Sequence, residues 1–324
     1  MPSLRKTFDL RKTFDLRDES GVLRISIAIT VSIAVFGIAF GLLSGSFSIL
    51  FDGIYSLVDA SMSLLALAVV RLIRTYTHEA SSAGRRLRER FTVGFWHLEP
   101  MVLGLNGILL MGVSAYAFFN AVTLLLDGGR ELEFGLAIVY ALVTVIACTV
   151  AALLEWRANR RIRSDFIRLD VHSWLMSGGI TTALLVAFCI GYGVEGTRYA
   201  WLSPYVDPAI LALVCLVIIP LPIGTVKQAL ADILLVTPAG LKAHVDSVAT
   251  AAVARHGLLS FRAYVAKVGR AQQIELYFIV PAEAPARRIG EWDAIRDEIG
   301  QAIGPDSPDR WLTIIFTGDR EWAD

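Results

Sequence analysis

The chain has 324 residues, of which 55% are apolar and 19% charged; a water-soluble protein carries closer to about 25% charged residues. Thirty Lys and Arg balance thirty Asp and Glu, so net charge points to no polyanionic partner, and no nucleic acid is expected. The three cysteines, Cys148, Cys189 and Cys215, lie far apart inside apolar runs without CxxC spacing, which argues against a disulfide framework or a thiolate metal site.

In chain order, residues 1–20 read as a basic cytosolic tail containing a tandem hexapeptide, RKTFDL at Arg5–Leu10 and again at Arg11–Leu16. The tail is too charged, and too closely followed by a full-length apolar run, to be a cleaved signal peptide. A helix needs about 20 mainly apolar residues to cross the hydrocarbon core. Six windows qualify: Ile25–Leu43, Phe47–Val70, Met101–Leu126, Phe134–Leu154, Val171–Gly193 and Pro208–Val226. Basic residues collect in the tail, after the second span (Arg74, Arg85, Arg86, Arg88, Arg90) and after the fourth (Arg157, Arg160, Arg161, Arg163, Arg168). The other connections are short or mixed in charge, so the positive-inside rule puts both termini in the cytosol of a multi-pass inner-membrane protein. Pro220 and Pro222 in the sixth span remove backbone donors and predict a bend there.

After the six-helix membrane domain, residues 21–236, the composition changes. Residues 237–324 predict helix at Leu241–Arg255, strands at Phe261–Val268 and Gln273–Val280 around the turn Gly269-Arg270, helix at Ile289–Ile303 and a last strand at Trp311–Phe316. That α-β-β-α-β order predicts a small α+β domain, with helices on one face of a short sheet. The expected fold is therefore an all-α bundle of six transmembrane helices plus this cytosolic piece.

An ionisable side chain inside a span is costly unless paired or wetted, and marks a functional site by default. Asp52 and Asp59 sit seven residues apart in the second span, nearly in line at 3.6 residues per turn. Ser48, Tyr55 or Ser56, and Ser63 extend this polar stripe, and Asp170, Ser173, Ser177 and Thr181 repeat it in the fifth span. Two such stripes facing each other would build a cation site at the membrane midplane. The competing reading, that the hydroxyls merely bond to the carbonyl four residues back, applies best to the serines. His172 points away from the stripe. His97 and Glu99, beside Pro100, read as an interfacial anchor or charge pair.

The segment Ser46-Phe-Ser-Ile-Leu-Phe-Asp-Gly-Ile-Tyr-Ser-Leu-Val-Asp59 resembles the second-helix signature of the cation diffusion facilitators, a family of zinc, iron and manganese transporters. Gly94-Phe-Trp-His-Leu-Glu-Pro-Met-Val-Leu-Gly-Leu-Asn106 resembles the start of their third helix, and Asp207-Pro208 that of their sixth. The C-terminal piece is similar to their metallochaperone-like domain. The resemblance spans about residues 20 to 317 and implies homodimers, formed through the cytosolic domain and helix three, that exchange a divalent cation for protons.

The resemblance also implies a metal site of four ligands, which fall here on Tyr55, Asp59, Ser173 and Ser177, with Asp52 and Asp170 at further acidic positions. Only Asp59 keeps an ordinary ligand type, an arrangement similar to a branch of predicted cobalt, zinc and cadmium transporters. Where relatives carry His in a cytosolic loop and in the C-terminal strands, this chain has Phe91, Phe95, Tyr277 and Phe316. The C-terminal domain is therefore expected to serve mainly in dimerisation. No prosthetic group is implied; the divalent metal (Zn, Mn, Fe, Co or Cd) is transported substrate. The all-oxygen set favours harder ions such as Mn²⁺ over Zn²⁺. Two other readings stay open: a non-transporting member that pairs with an active partner, and a carrier of another cation such as Na⁺. An enzyme is not expected, because neither a Ser/His/Asp nor an HExxH arrangement occurs.

Overall fold

The structure is a computed structural model that describes residues 19–77, 85, 87, 89–92, 94–162 and 165–323. The tandem RKTFDL repeat and part of the basic loop after the second span lie outside the described residues. Helices α1 (Glu19–Ser44), α2 (Phe47–Thr77), α3 (Leu98–Leu126), α4 (Phe134–Ile162) and α5 (Asp165–Val194) are followed by α6 (Ser203–Ile218) and α7 (Ile223–Ile233). Among the described residues, six segments are long and apolar enough to cross a membrane, the last being Ala200–Ile233. Many of their large apolar side chains, including Leu42, Phe119, Ile190 and Leu213, are exposed. A water-soluble core would bury them; a lipid-facing surface does not need to.

The predicted bend in the sixth span is a break. Helix α6 stops at Ile218, turns occupy 219–222, and α7 begins at Ile223. Pro220 and Pro222 each lack an N–H, and each disfavours helical geometry in the residue before it, so two prolines two residues apart end the ladder instead of kinking it.

By contacts the chain forms two compact units, Met1–Leu64 with Asn106–Ile223, and Leu65–Leu105 with Gly224–Asp324. In the first unit, α4 packs along α5, and α1 lies against α4. Helices α1 and α2 cross at backbone distance through the GxxxG pair Gly37 and Gly41. A Cβ on Gly41 would lie 2.5 Å from Leu50 N, and one on Gly53 would lie 2.6 Å from Ile38 N. Small residues at such crossings let helix backbones touch, which is how membrane helices gain packing energy without a hydrophobic drive.

Buried Asp207, in α6, organises the start of α2. It accepts hydrogen bonds from Ser46 Oγ at 2.6 Å, Phe47 N at 2.9 Å and Ser48 N at 3.4 Å, while Ser48 Oγ donates to the Asp207 carbonyl at 3.0 Å. A carboxylate at a helix N-terminus satisfies donors that have no partner within the helix and complements the helix dipole.

In the second unit, Tyr76, Phe91, Phe95 and Trp96 form an aromatic cluster. The Phe91 and Phe95 rings lie 4.7 Å apart, and Tyr76 stands edge-on to Phe95 and Trp96 at 5.7 Å. The C-terminal fold comprises α8 (Ala239–His256), β1 (Ser260–Val268), β2 (Ala271–Ile279), α9 (Ile289–Ile303) and β3 (Arg310–Thr317), the predicted order. Strand β2 is central, antiparallel to β1 and parallel to β3. Register aligns Phe261–Phe278–Phe316, Ala263–Leu276–Ile314 and Val265–Ile274–Leu312 on one face. Val245 and Ala249 of α8 and Ile295, Ile299 and Ile303 of α9 share the core built on that face. Each fully buried large apolar side chain there contributes roughly 1.5–3 kcal/mol.

Gly269, with φ +60°, closes the β1–β2 turn against the start of α3; a Cβ there would meet Trp96 O and Glu99 Oε2 at 3.1 Å. Arg270 then pairs with Glu99 through Nε at 2.9 Å and Nη2 at 3.1 Å, and Trp96 Nε1 donates to Asp309 at 3.1 Å. Its hydrogen bonds to Glu99 hold the Arg270 guanidinium above its ordinary pKa. Glu99 thus forms a charge pair, and its partner is Arg270.

Asp207→Ala removes the buried acceptor at the start of α2. Losing a cap costs about 0.5–2 kcal/mol, and leaving buried donors unpaired costs roughly 1–3 kcal/mol each. Thermal unfolding of the detergent-solubilised protein should fall by several degrees, with Asp207→Asn recovering part of the loss.

Candidate functional site

Helix α2 supplies three of the expected residues, and each meets a different neighbour. Tyr140 Oη of α4 donates to Asp52 Oδ2 at 2.7 Å. Tyr140 is fully buried, with Phe36 stacked on it at 5.5 Å. It reaches Asp52 by passing over Gly37, where a Cβ would stand 2.8 Å from its hydroxyl. The glycine that allows α1 and α2 to touch therefore also opens the route by which α4 holds Asp52.

One helical turn on, Tyr55 packs against Phe51 at 5.6 Å and lies within electrostatic reach of Asp59. Asp59 Oδ1 accepts a long hydrogen bond, 3.5 Å, from Asn106 Nδ2 of α3. The Asn106 carbonyl oxygen is itself buried with no donor among the described residues. An orphaned amide oxygen beside a carboxylate suits a hard cation, which accepts neutral and charged oxygens together.

On α5, the half-buried Asp170 meets Glu155 of α4 and Ser26 of α1, and lies within electrostatic reach of Asp59. Ser177 Oγ accepts from Cys148 Sγ of α4 at 3.9 Å, and Thr181 bonds back to the Ser177 carbonyl at 3.0 Å. Ser173 and His172 are exposed. The structure thus gathers Tyr55, Asp59 and Asp170 into one electrostatic neighbourhood. Asp52 and Ser177 are engaged by α4, and Ser173 is exposed although helical spacing puts it on the same side of α5 as Asp170 and Ser177. Among the described residues no three His, Cys, Asp or Glu side chains converge on one point. A cation held at Asp59 would therefore rely on phenol, hydroxyl or amide oxygens as well.

Sequence reasoning missed three side chains. Glu155 falls just past the fourth apolar window, which ends at Leu154, and so outside a search for ionisable residues within spans; the helix runs on to Ile162 and buries it. Asn106 and Tyr140 are uncharged, so a search for ionisable residues within spans passes over them. A scan for every hydrogen-bonding side chain in an apolar run would have found both.

The positions where relatives carry cytosolic His are also accounted for. Phe91 and Phe95 belong to the aromatic cluster. Tyr277 and Phe316 lie on opposite faces of the sheet, because Phe278, not Tyr277, pairs with Phe316. Phe316 stacks on Phe278 at 5.5 Å, while Tyr277 Oη donates to Glu275 at 3.4 Å. His244 contacts the Ile303 carbonyl at 3.0 Å, and His256 lies 3.2 Å from Glu298.

These features have a counterpart among known proteins. Residues 23–234, well over half of the chain, match the cation efflux transmembrane domain. The chain belongs to this family, the cation diffusion facilitators, and is a multi-pass membrane protein of a transporter family. It is similar to the metal cation efflux system protein CzcD of Cupriavidus metallidurans and to the cation efflux system protein CzcD of an Alcaligenes species. Each is 24% identical over 200 residues, 61% of this chain and 56% of the relative. The match therefore spans little more than half the length of these relatives.

Tyr140→Phe deletes the donor to Asp52 and leaves a buried carboxylate short of a partner, at a cost of roughly 1–3 kcal/mol. In a double-mutant cycle with Asp52→Asn, unfolding free energies should be non-additive by about 0.5–3 kcal/mol. Simple additivity would mean that the 2.7 Å contact carries no coupling.

Proposed function

We propose that this protein exports a divalent metal cation from the cytosol across the inner membrane by proton antiport, through a site between α2 and α5. The observation that carries the reading is that Tyr55 and Asp170 both lie within electrostatic reach of Asp59 in a cation efflux domain. The names of the CzcD relatives, metal cation efflux systems, support the same substrate class.

In this reading Asp59 is the principal ligand, and Tyr55, Ser173 and Ser177 are the neutral oxygens around it. Asp170 and Asp52 set the local negative charge. The cation loads with the site open to the cytosol, and protons arriving from the other side compete for the same carboxylates and release it. Because the ligands are oxygens, the preferred ion is Mn²⁺ or a similarly hard cation, ahead of Zn²⁺. The protein works as a homodimer through residues 237–324 and α3, with residues 1–20 and both termini cytosolic and residues 21–236 as the membrane domain.

The test is metal-driven proton flux in proteoliposomes, screening Mn²⁺, Fe²⁺, Co²⁺, Zn²⁺ and Cd²⁺. Flux should be highest with Mn²⁺ and lost in Asp59→Ala. Metal flux indifferent to an imposed pH gradient removes the antiport, and a clear advantage for Zn²⁺ removes the hard-ion preference. Absence of flux with any ion, from well-folded dimers, transfers the reading to a non-transporting partner subunit or to another cation such as Na⁺.

A further inference from the structure

Glu155 and Asp170 meet where α4 and α5 approach the basic connection between them. Glu155 is 5% exposed. Its Oε1 accepts from Trp174 Nε1 at 3.0 Å, and the same N–H is shared with Ser26 Oγ at 3.0 Å. Its Oε2 is buried and has no donor among the described residues. Among the described residues, the groups acting on the two carboxyls include Ser26, Trp174, Asp59 and each other, all of them polar or acidic. Two carboxyl groups in contact, one with a buried oxygen lacking a donor among the described residues, must share either a proton or a cation.

The surroundings hold these groups in place. Trp174 and Ser26 fix Glu155 from one side, and Cys148, Ala151 and Ala152 of α4 pack around the indole, with Ile29 and Ile33 of α1 against the same cluster. The carboxyls are thus held in place at the junction of α1, α4 and α5. The chemistry offered is two carboxylates and one hydroxyl, with no nitrogen or sulfur, a donor set suited to hard divalent ions that keep part of their water shell.

We propose that Glu155, Asp170 and Ser26 form a second divalent-cation site, a loading site distinct from that at Asp59. Asp170 is the link between the two, because it touches Glu155 and lies within electrostatic reach of Asp59. A cation released from the Glu155 side would pass to Asp59 without crossing a stretch that lacks compensating charge. The role as a loading site rests on the transport reading above; binding at Glu155 does not.

The experiment counts Mn²⁺ bound to the full chain in detergent, by electron paramagnetic resonance of free and bound ion, in wild type, Glu155→Gln, Glu155→Asp and Asp59→Ala. Glu155→Gln should lose one Mn²⁺ per chain or bind it at least about tenfold more weakly, the weight of one charged ligand. Glu155→Asp should recover part of that binding, and Asp59→Ala should keep it. A monodisperse Glu155→Gln protein that binds Mn²⁺ like wild type overturns the proposal, and the glutamate then holds a proton or only packs. If Asp59→Ala loses no Mn²⁺ while Glu155→Gln does, the loading site stands and the transport site at Asp59 falls. Should Glu155→Gln not fold, Ser26→Ala serves instead, and an unchanged Mn²⁺ affinity in it overturns the proposal equally.

Discussion

A side chain with hydrogen-bonding groups cannot rely on water in the hydrocarbon core, so it must find its partner on another helix. In the first unit that condition falls mostly on α4. Its buried face carries Tyr140, Thr144, Cys148 and Glu155, all but the last within an apolar window. Tyr140 meets Asp52, Cys148 meets Ser177, and Glu155 meets Asp170. A helix without a charged residue in its apolar window thus positions acidic and hydroxyl groups of the two helices that carry the expected site.

The close crossing of α1 and α2 makes this possible. With Gly37, Gly41 and Gly53 at the contact, the backbones approach until a single Cβ would collide. That proximity lets Tyr140 pass over Gly37 to Asp52. At the connection between these helices, Asp207 ties α6 to the first turn of α2 through bonds to Ser46, Phe47 and Ser48. Asp207-Pro208 was visible in the sequence as a family feature; the structure gives it a mechanical task as the anchor of the helix that bears Asp59.

In the second unit, positions at which relatives place imidazoles are filled by packing. Phe91, Phe95 and Phe316 are held in aromatic contacts, and Tyr277 faces away from Phe316 across the sheet. The glycine turn at Gly269 and the Arg270–Glu99 pair bind the sheet to the start of α3 within this unit. Its internal bonding thus combines ring stacking, the bidentate Arg270–Glu99 pair, further ion pairs such as Lys242–Asp246, and a shared apolar core.

Six apolar runs and the α-β-β-α-β order were legible because each depends on local composition and periodicity, which a chain carries along its length; the ends were less so, the fourth helix running past Leu154 to Ile162 and the sixth segment starting before Pro208. The break at Pro220 and Pro222 was half legible: proline chemistry announced a disturbance, but two prolines acting on the same ladder stopped the helix instead of bending it. The sequence also determined that Asp52, Asp59 and Asp170 sit in or at the edge of spans and need partners. Which partners they have was decided by tertiary structure alone. Helical spacing places side chains on a face of their own helix, and that face is blind to which neighbour it will meet. Matching stripes on α2 and α5 suggested that those two helices face each other throughout, yet Asp52 and Ser177 turned to α4, and Asp170 joined Glu155 while remaining near Asp59. Only the folded arrangement of α1, α4 and α5 could show Glu155 as a buried carboxylate, because its burial comes from Trp174 and Ser26, 19 and 129 residues away in the chain.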